Sequence, residues 1–324
     1  MTTLLELREH IKLFAGRYEI YIVAVAKAIL AFAVFMVIRN DLGYSSRFGS
    51  ITIVLALSLL CALLPSNFIL LFSVLLVLVN LYSVSKAAAI MAAAVFVILF
   101  LLYFRLSPTK GYYAAITPVA YVFHIPYAVP VAAGLLDKTP SSIMAMCAGT
   151  VSYYMLHGIA ANASVLAEES EDRSLLTDLQ TLSSQLFNNK EMMVMIVITA
   201  LAAVVVWGIR RLSIDYAWTI AIAVGLALQF VMRLICNFQF KLEGGVLTLL
   251  LQTVISAAIG LVLQFFFFNL NFARTERVQF EDDEYYYYVK AVPKQSVSSA
   301  EITVKRFGGE RTEDDDEEED EENN

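Results

Sequence analysis

The chain has few of the side chains that metal and disulfide chemistry require. It contains three cysteines and three histidines among 324 residues. The cysteines, Cys61, Cys147 and Cys236, lie in or beside separate apolar segments and do not have the spacing of a zinc motif or a disulfide framework. We therefore expect no metal site and no cofactor, and the cysteines do not indicate a redox compartment.

Several motifs that mark common enzymes are also missing. The sequence has no GxxxxGK[ST] for nucleotide hydrolysis, no HExxH and no GxSxG, and no GxGxxG precedes a helical segment. It has no stretch in which basic and aromatic residues alternate, so nothing indicates binding to nucleic acid. These absences predict a protein that is not an enzyme.

Charged residues are scarce and apolar residues abundant, at 16% and 59% of the chain. A soluble domain cannot bury that much apolar surface, and runs of about 18 or more apolar residues are typical of membrane spans. We therefore predict an all-α polytopic membrane protein with about eight transmembrane helices. The predicted spans are 19–38, 50–64, 67–84, 87–104, 141–160, 191–209, 214–235 and 245–268.

Four segments are too polar for the bilayer core. Residues 1–18 predict an interfacial amphipathic helix, and 161–190 predict an extramembrane amphipathic helix with leucines at a 4, 3, 4 spacing. Residues 269–311 predict a small cytoplasmic β-rich segment with strands at 277–280, 285–289 and 302–304. Residues 312–324, which contain ten consecutive acids, predict a disordered acidic tail. Between these segments, 19–160 holds transmembrane helices 1–5, and 191–268 holds helices 6–8.

Proline is rare, yet three of the seven prolines fall in one apolar stretch. Pro118, Pro126 and Pro130 interrupt residues 112–136, and each one deprives the carbonyl four residues earlier of its helical donor. In hydrocarbon a broken backbone persists only where protein covers it or water reaches it. We therefore expect 112–136 either to kink strongly while crossing or to turn back as a re-entrant segment.

The positions of lysine and arginine favour the re-entrant alternative. With eight spans and both termini inside, eleven of these residues lie in inner loops and six in outer loops. If 112–136 crosses instead, eight of these residues lie in inner loops and nine in outer loops, so their distribution shows no bias. Because basic residues accumulate in short cytoplasmic loops, we predict a multi-pass protein of the cell (inner) membrane with both termini in the cytoplasm.

Polar and aromatic residues near the broken segment predict a solute site. Lys27 lies inside the first span, where a cation is costly and usually faces a cavity. His124 lies between two of the prolines, and His157 shares one face of the next span with a tyrosine. Each of these residues could equally be a packing residue that bonds a neighbouring carbonyl. The candidate substrate-binding residues are Lys27, Tyr121, His124, Pro126, Tyr127, Tyr153 and His157.

Two functions are consistent with these features. The first is a permease-like protein that moves a small solute through a site at the broken segment, with an anion preferred because of Lys27. The alternative is a non-transporting membrane scaffold or assembly factor that binds a protein partner through 161–190 or 270–324. In both cases the lipid bilayer surrounds the spans, and the sequence names neither the solute nor the partner.

Overall fold

The structure, a computed structural model, describes residues 2–42, 50–162, 175–241, 245–268, 276–281 and 285–291. Within these ranges the chain is almost entirely helical, with twelve helices and one two-stranded hairpin. In chain order the elements are α1 (Thr2–Arg17), α2 (Glu19–Leu42), α3 (Ile51–Leu63), α4 (Asn67–Val84), α5 (Lys86–Leu106), α6 (Gly111–Val122), α7 (Ala128–Leu136), α8 (Ser142–Ala161), α9 (Leu175–Phe187), α10 (Lys190–Arg210), α11 (Ala217–Phe240), α12 (Val246–Phe267), β1 (Glu276–Glu281) and β2 (Tyr286–Ala291).

Among the described residues, seven helices are long and apolar enough to cross a membrane, namely α2, α4, α5, α8, α10, α11 and α12. The predicted fold class, an all-α protein with several such helices, is confirmed at this level. The remaining predicted span, 50–64, is the 13-residue helix α3. At 1.5 Å per residue α3 extends only about 20 Å, less than the roughly 30 Å of a bilayer core. It ends at Leu63 because a residue that precedes a proline, here Leu64, is kept out of the helical region.

The proline-rich stretch forms two short helices, α6 and α7, with a turn between them. Pro118 lies inside α6, and α7 begins two residues after Pro126. In the turn His124 adopts a left-handed backbone conformation with φ of 59°, which is unfavourable for a residue with a Cβ. The turn therefore reverses the chain at a local conformational cost.

The two ends of this helical pair meet. Lys110, directly before α6, donates to Asp137, directly after α7, over 2.5 Å from Nζ to Oδ1. A straight 26-residue helix would separate these ends by about 39 Å, so residues 111–136 fold back on themselves. We call this region the broken hairpin, with its base at Lys110 and Asp137 and its tip at 123–127.

The broken hairpin lies at the centre of the bundle. Helix α6 packs against α2, α4 and α8, whereas α7 packs against α10, α11 and α12. Seven of the nine residues of α7 are buried, so α7 belongs to the protein core. Close packing there depends on small residues, because a Cβ on Gly134 or Gly225 would lie 2.7 or 2.3 Å from side-chain atoms of Val206.

The extramembrane segments attach to this bundle in different ways. The buried Arg8 of α1 donates to the carbonyls of Phe265 and Phe268 at the end of α12. In α9, Leu182 and Leu186 are buried, and the helix packs against α5 and α8.

The hairpin of β1 and β2 is antiparallel, and Tyr285 to Val289 are exposed. The third predicted strand, 302–304, and the predicted acidic tail lie outside the described residues. The boundaries predicted for the extramembrane segments therefore stay predictions.

Candidate functional site

A cavity of about 470 Å³ lies at the tip of the broken hairpin. Its rim consists of helix ends: His157 in the last turns of α8, Glu191 in the first turn of α10, Asn237 in the last turn of α11 and Gly245 at the N-cap of α12. These ends lie on the face of the bundle opposite the base of the hairpin. We call this space the tip cavity.

The tip cavity brings together six of the seven residues that the sequence predicted as a solute site. These residues are Tyr121, His124, Pro126, Tyr127, Tyr153 and His157. His124 and His157 are exposed at the mouth, whereas the tyrosines Tyr121 and Tyr127 are buried. Their common location is a finding of the structure, and their role as solute ligands remains a prediction.

The seventh candidate, Lys27, lies elsewhere. Its Nζ donates to the carbonyl of Leu64 over 3.3 Å, at the C-terminal end of α3. The last carbonyls of a helix lack intrahelical donors and carry partial negative charge, which favours a cation. Lys27 therefore stabilises the end of the short helix α3, and the structure does not bring it to the tip cavity.

Aromatic rings form one wall of the tip cavity. The rings of Tyr121 and Tyr153 are stacked with centroids 4.6 Å apart, and His157 stacks on Tyr153 at 5.8 Å. Tyr154 meets Tyr121 edge-on at 5.6 Å. Stacked and edge-on rings of this kind contribute packing energy beyond their buried area, so the wall is a rigid surface that links α6 to α8.

A buried arginine lies beside this wall. Arg233 of α11 is 7% exposed, and its Nη2 pairs with Oε1 of Glu191, whose side chain is 35% exposed. Its Nη1 is also buried and has no hydrogen-bond partner among the described residues. A buried polar group without a partner costs about 1–3 kcal/mol, and more when it is charged. The free Nη1 therefore favours an acceptor that enters the cavity.

The sequence prediction missed Glu191, Arg233, Asn237 and Thr248, which also line the tip cavity. The available signal was Arg233, a cation within an apolar segment. The predicted span 214–235 placed Arg233 near the membrane boundary, but α11 continues to Phe240, so the arginine lies two turns inside the helix. A cation at that depth is a candidate functional residue.

A larger groove on the bundle has different chemistry. About 680 Å³ in volume, it lies between α4 and α5, and apart from Asn67 its lining is apolar, including Phe68, Phe100 and Phe104. None of the described residues that line it is charged, so it suits lipid chains rather than a polar solute. The tip cavity remains the better candidate because it combines a cation, an anion, imidazoles and phenols.

The tip cavity is suited to non-covalent binding. Within the ranges that the structure describes, no group of three or more His, Cys, Asp or Glu side chains could hold a metal. Donors at the site include the free arm of Arg233, the phenols and the amide of Gln252, and Glu191 offers a carboxylate acceptor. These groups can orient a small polar molecule.

Comparisons with protein-family models, with curated proteins and with solved structures find no match for this chain.

Proposed function

We propose that this protein is a multi-pass membrane permease that moves a small solute, with an anion preferred, through the tip cavity. The observation that carries the proposal is the buried Arg233, whose Nη1 has no partner among the described residues and which lines a polar cavity inside an apolar bundle. Ionisable residues within membrane helices usually mark solute or ion pathways. The cavity also lies at an interrupted membrane segment, as solute sites in transporters do.

The ion pair at the base supports a re-entrant broken hairpin. Because Lys110 and Asp137 are in contact, the hairpin begins and ends at one face of the bundle and does not complete a crossing. The backbone of its tip is irregular, and such backbone is tolerated at membrane depth when it lines a water-filled cavity. Although α3 alone is too short to span the bilayer core, we count it with its flanking residues as a pass, because Asn67 at the start of α4 donates to the carbonyl of Pro108 near the base. With the seven long helices this gives eight passes and both termini on the same face.

The distribution of charge supports an orientation. The face at the base of the hairpin carries Arg105, Lys110, Lys138, Arg210 and Arg211, and such residues concentrate on the cytoplasmic side. On this reasoning the base and both termini face the cytoplasm of the cell (inner) membrane. The tip cavity then opens toward the outer side.

The experiment measures uptake into proteoliposomes. The purified full-length protein is reconstituted, and the vesicles receive a defined mixture of the twenty common amino acids, small carboxylates and inorganic phosphate. We expect mass spectrometry to detect accumulation of at least one component above that in protein-free vesicles. Arg233→Met should reduce this uptake on the order of 100-fold, because it removes a buried charged partner.

The matched control is Lys27→Met, which also removes a cation from a membrane helix but lies outside the tip cavity. It should transport like the wild type once reconstitution is equalised. Equal uptake by wild type and Arg233→Met, or no accumulation of any component, would overturn the proposal.

The scaffold alternative receives less support. Its predicted partner-binding element at 161–190 includes α9, but Leu182 and Leu186 of that helix are buried against the protein's own bundle. The exposed tyrosines of the β-hairpin remain available to a partner. Removal of residues 270–324 separates the two functions, because a permease core should keep its uptake without them and a scaffold should lose its assembly.

A further inference from the structure

The charged residues of the tip cavity indicate more about the ligand than a preference for anions. Among the described residues, Arg233 is the lysine or arginine that lines it, and Glu191 is the acid that lines it. The two are already paired, so their charges offset each other within the cavity. A simple anion would bring one uncompensated negative charge into a space of low dielectric constant, where charges interact strongly.

Both members of the pair retain unused bonding capacity. The Nη1 of Arg233 has no partner within the part of the chain described, although the residue is more than nine-tenths buried. Glu191 uses Oε1 toward Arg233, and about a third of its side chain is open to solvent. One ligand could therefore meet a cationic donor and an anionic acceptor that are adjacent to each other.

The N-terminus of α12 adds to the anionic half of such a site. The N-cap residue Gly245 and Thr248 of the first turn line the tip cavity, and Gly245 has no side chain with which to cap this 22-residue helix. Free backbone N–H groups and the helix dipole at an N-terminus favour a carboxylate. The cationic half is favoured by the carboxylate of Glu191.

The size of the tip cavity limits the ligand. With about 30 Å³ for each water molecule, 470 Å³ corresponds to roughly 16 waters. A molecule with a similar number of non-hydrogen atoms would fill it. Free amino acids therefore fit in the tip cavity.

We propose that the tip cavity binds a zwitterion of amino-acid size, with its carboxylate on Arg233 Nη1 and the first turn of α12 and its ammonium on Glu191. This inference rests on the proposed permease function and replaces its preference for an anion with a solute that carries both a carboxylate and an ammonium group. Arg233 and Glu191 then act as a paired recognition element: the ligand matches both charges and leaves the cavity neutral.

The test is a binding measurement on the full-length protein in lipid nanodiscs by isothermal titration calorimetry. The twenty common amino acids are titrated first. The tightest binder is then compared with its analogue without the amino group and its analogue without the carboxyl group, and inorganic phosphate serves as a simple anion. Each analogue should bind about 100-fold more weakly or worse, because it leaves a polar partner in the site unpaired.

Three variants test the two halves of the site. Glu191→Gln keeps an oxygen that can accept from Arg233 but removes the negative charge, so it should bind the amino acid and its des-amino analogue about equally. Arg233→Lys should weaken both ligands about tenfold or more, because the bidentate guanidinium is lost. Glu191→Asp should restore part of the discrimination, and thermal melting of each variant verifies that it is folded.

Several results would overturn the assignment. It fails if the des-amino analogue or phosphate binds as tightly as the amino acid, if Glu191→Gln keeps the discrimination, or if no amino acid binds. Binding of simple anions that depends on Arg233 would reject the zwitterion but leave the proposed permease intact. The permease itself is rejected by the uptake experiment, so the two failures are distinguishable.

Discussion

The two ends of the broken hairpin use polar groups in opposite ways. At the base, Lys110 pairs with Asp137, and Arg210 donates to the carbonyls of Leu135 and Asp137. At the tip, Arg233 has one paired and one unpaired arm beside a cavity of about 470 Å³. Asp137 Oδ2 at the base is also buried without a partner among the described residues. The two ends therefore differ in their surroundings: direct bonds join two helix ends at the base, whereas the unpaired arm of Arg233 lies beside a cavity.

The same contrast separates the two cations inside membrane helices. Lys27 binds the carbonyl of Leu64 at the end of α3, so it has a structural explanation. Arg233 pairs with Glu191 but keeps a buried nitrogen without a partner in the described ranges. The role of a charged residue in an apolar segment therefore depends on which groups lie next to it in the folded protein.

The largest expected effect on stability is at the base. Arg210→Met removes two charge-assisted hydrogen bonds to the last carbonyls of α7, so we expect a loss of about 2–3 kcal/mol. The neighbouring Arg211 is exposed and donates to the carbonyl of Lys138 over 2.6 Å. Its change to Met should cost about 1 kcal/mol or less. Thermal or denaturant unfolding in detergent measures the stability of both variants. Equal losses of stability would contradict a special role for Arg210.

An intermediate effect is expected where the hairpin packs on α8. A Cβ at Gly149 would lie 2.7 Å from Cβ of Thr117 and 2.8 Å from the carbonyl oxygen of Ala114, so Gly149→Ala should cost about 1–3 kcal/mol. Gly158, on the same helix, has nothing within 4 Å of its Cβ position. Gly158→Ala should be neutral or stabilise by up to about 1 kcal/mol, since alanine favours a helix. The free energy of unfolding is measured for both variants. Similar losses of stability in Gly149→Ala and Gly158→Ala would show that Gly149 does not make a close contact.

The smallest effect, and one of opposite sign, is expected at the tip. His124 has φ of 59°, which glycine adopts without strain. His124→Gly should therefore leave the free energy of unfolding unchanged or raise it by up to about 1 kcal/mol, while uptake into proteoliposomes falls. A large loss of stability would show that the histidine side chain supports the fold, contrary to the proposed division between base and tip.

The sequence predicted the general architecture because membrane spans have a strong local signal. Long apolar runs identified the helices that are long and apolar enough to cross a membrane, and Pro118 and Pro126 located the broken segment. The structure differs from the prediction at α3, which is a 13-residue helix and not a full-length membrane span. The apolar run is continuous there, but the geometry before Pro65 and the cation Lys27 let the helix end within it.

The candidate site was predicted only in part for a physical reason. Tyr121, His124, Pro126 and Tyr127 are close in sequence, and Tyr153 and His157 lie on the next helix, so local reasoning could group them. Glu191 and Arg233 meet across 42 positions, on helices whose contact depends on how the bundle packs. Side chains joined by tertiary packing have no local signature, so the ion pair that defines the chemistry of the site came from the structure.

We propose that the base of the broken hairpin faces the inner side of the membrane and that the tip cavity opens to the outer side. The most direct test of this arrangement is cysteine labelling from each side of the membrane. In a variant with Cys61, Cys147 and Cys236 replaced, a single cysteine is introduced at His157 or at Lys110, and a charged, membrane-impermeant maleimide is added to right-side-out or inside-out vesicles. We expect the cysteine at 157 to react only from the outer side, and any reaction of the cysteine at 110 to come from the inner side. Reaction of both from the same side, or no reaction at 157 from either side, would contradict the account.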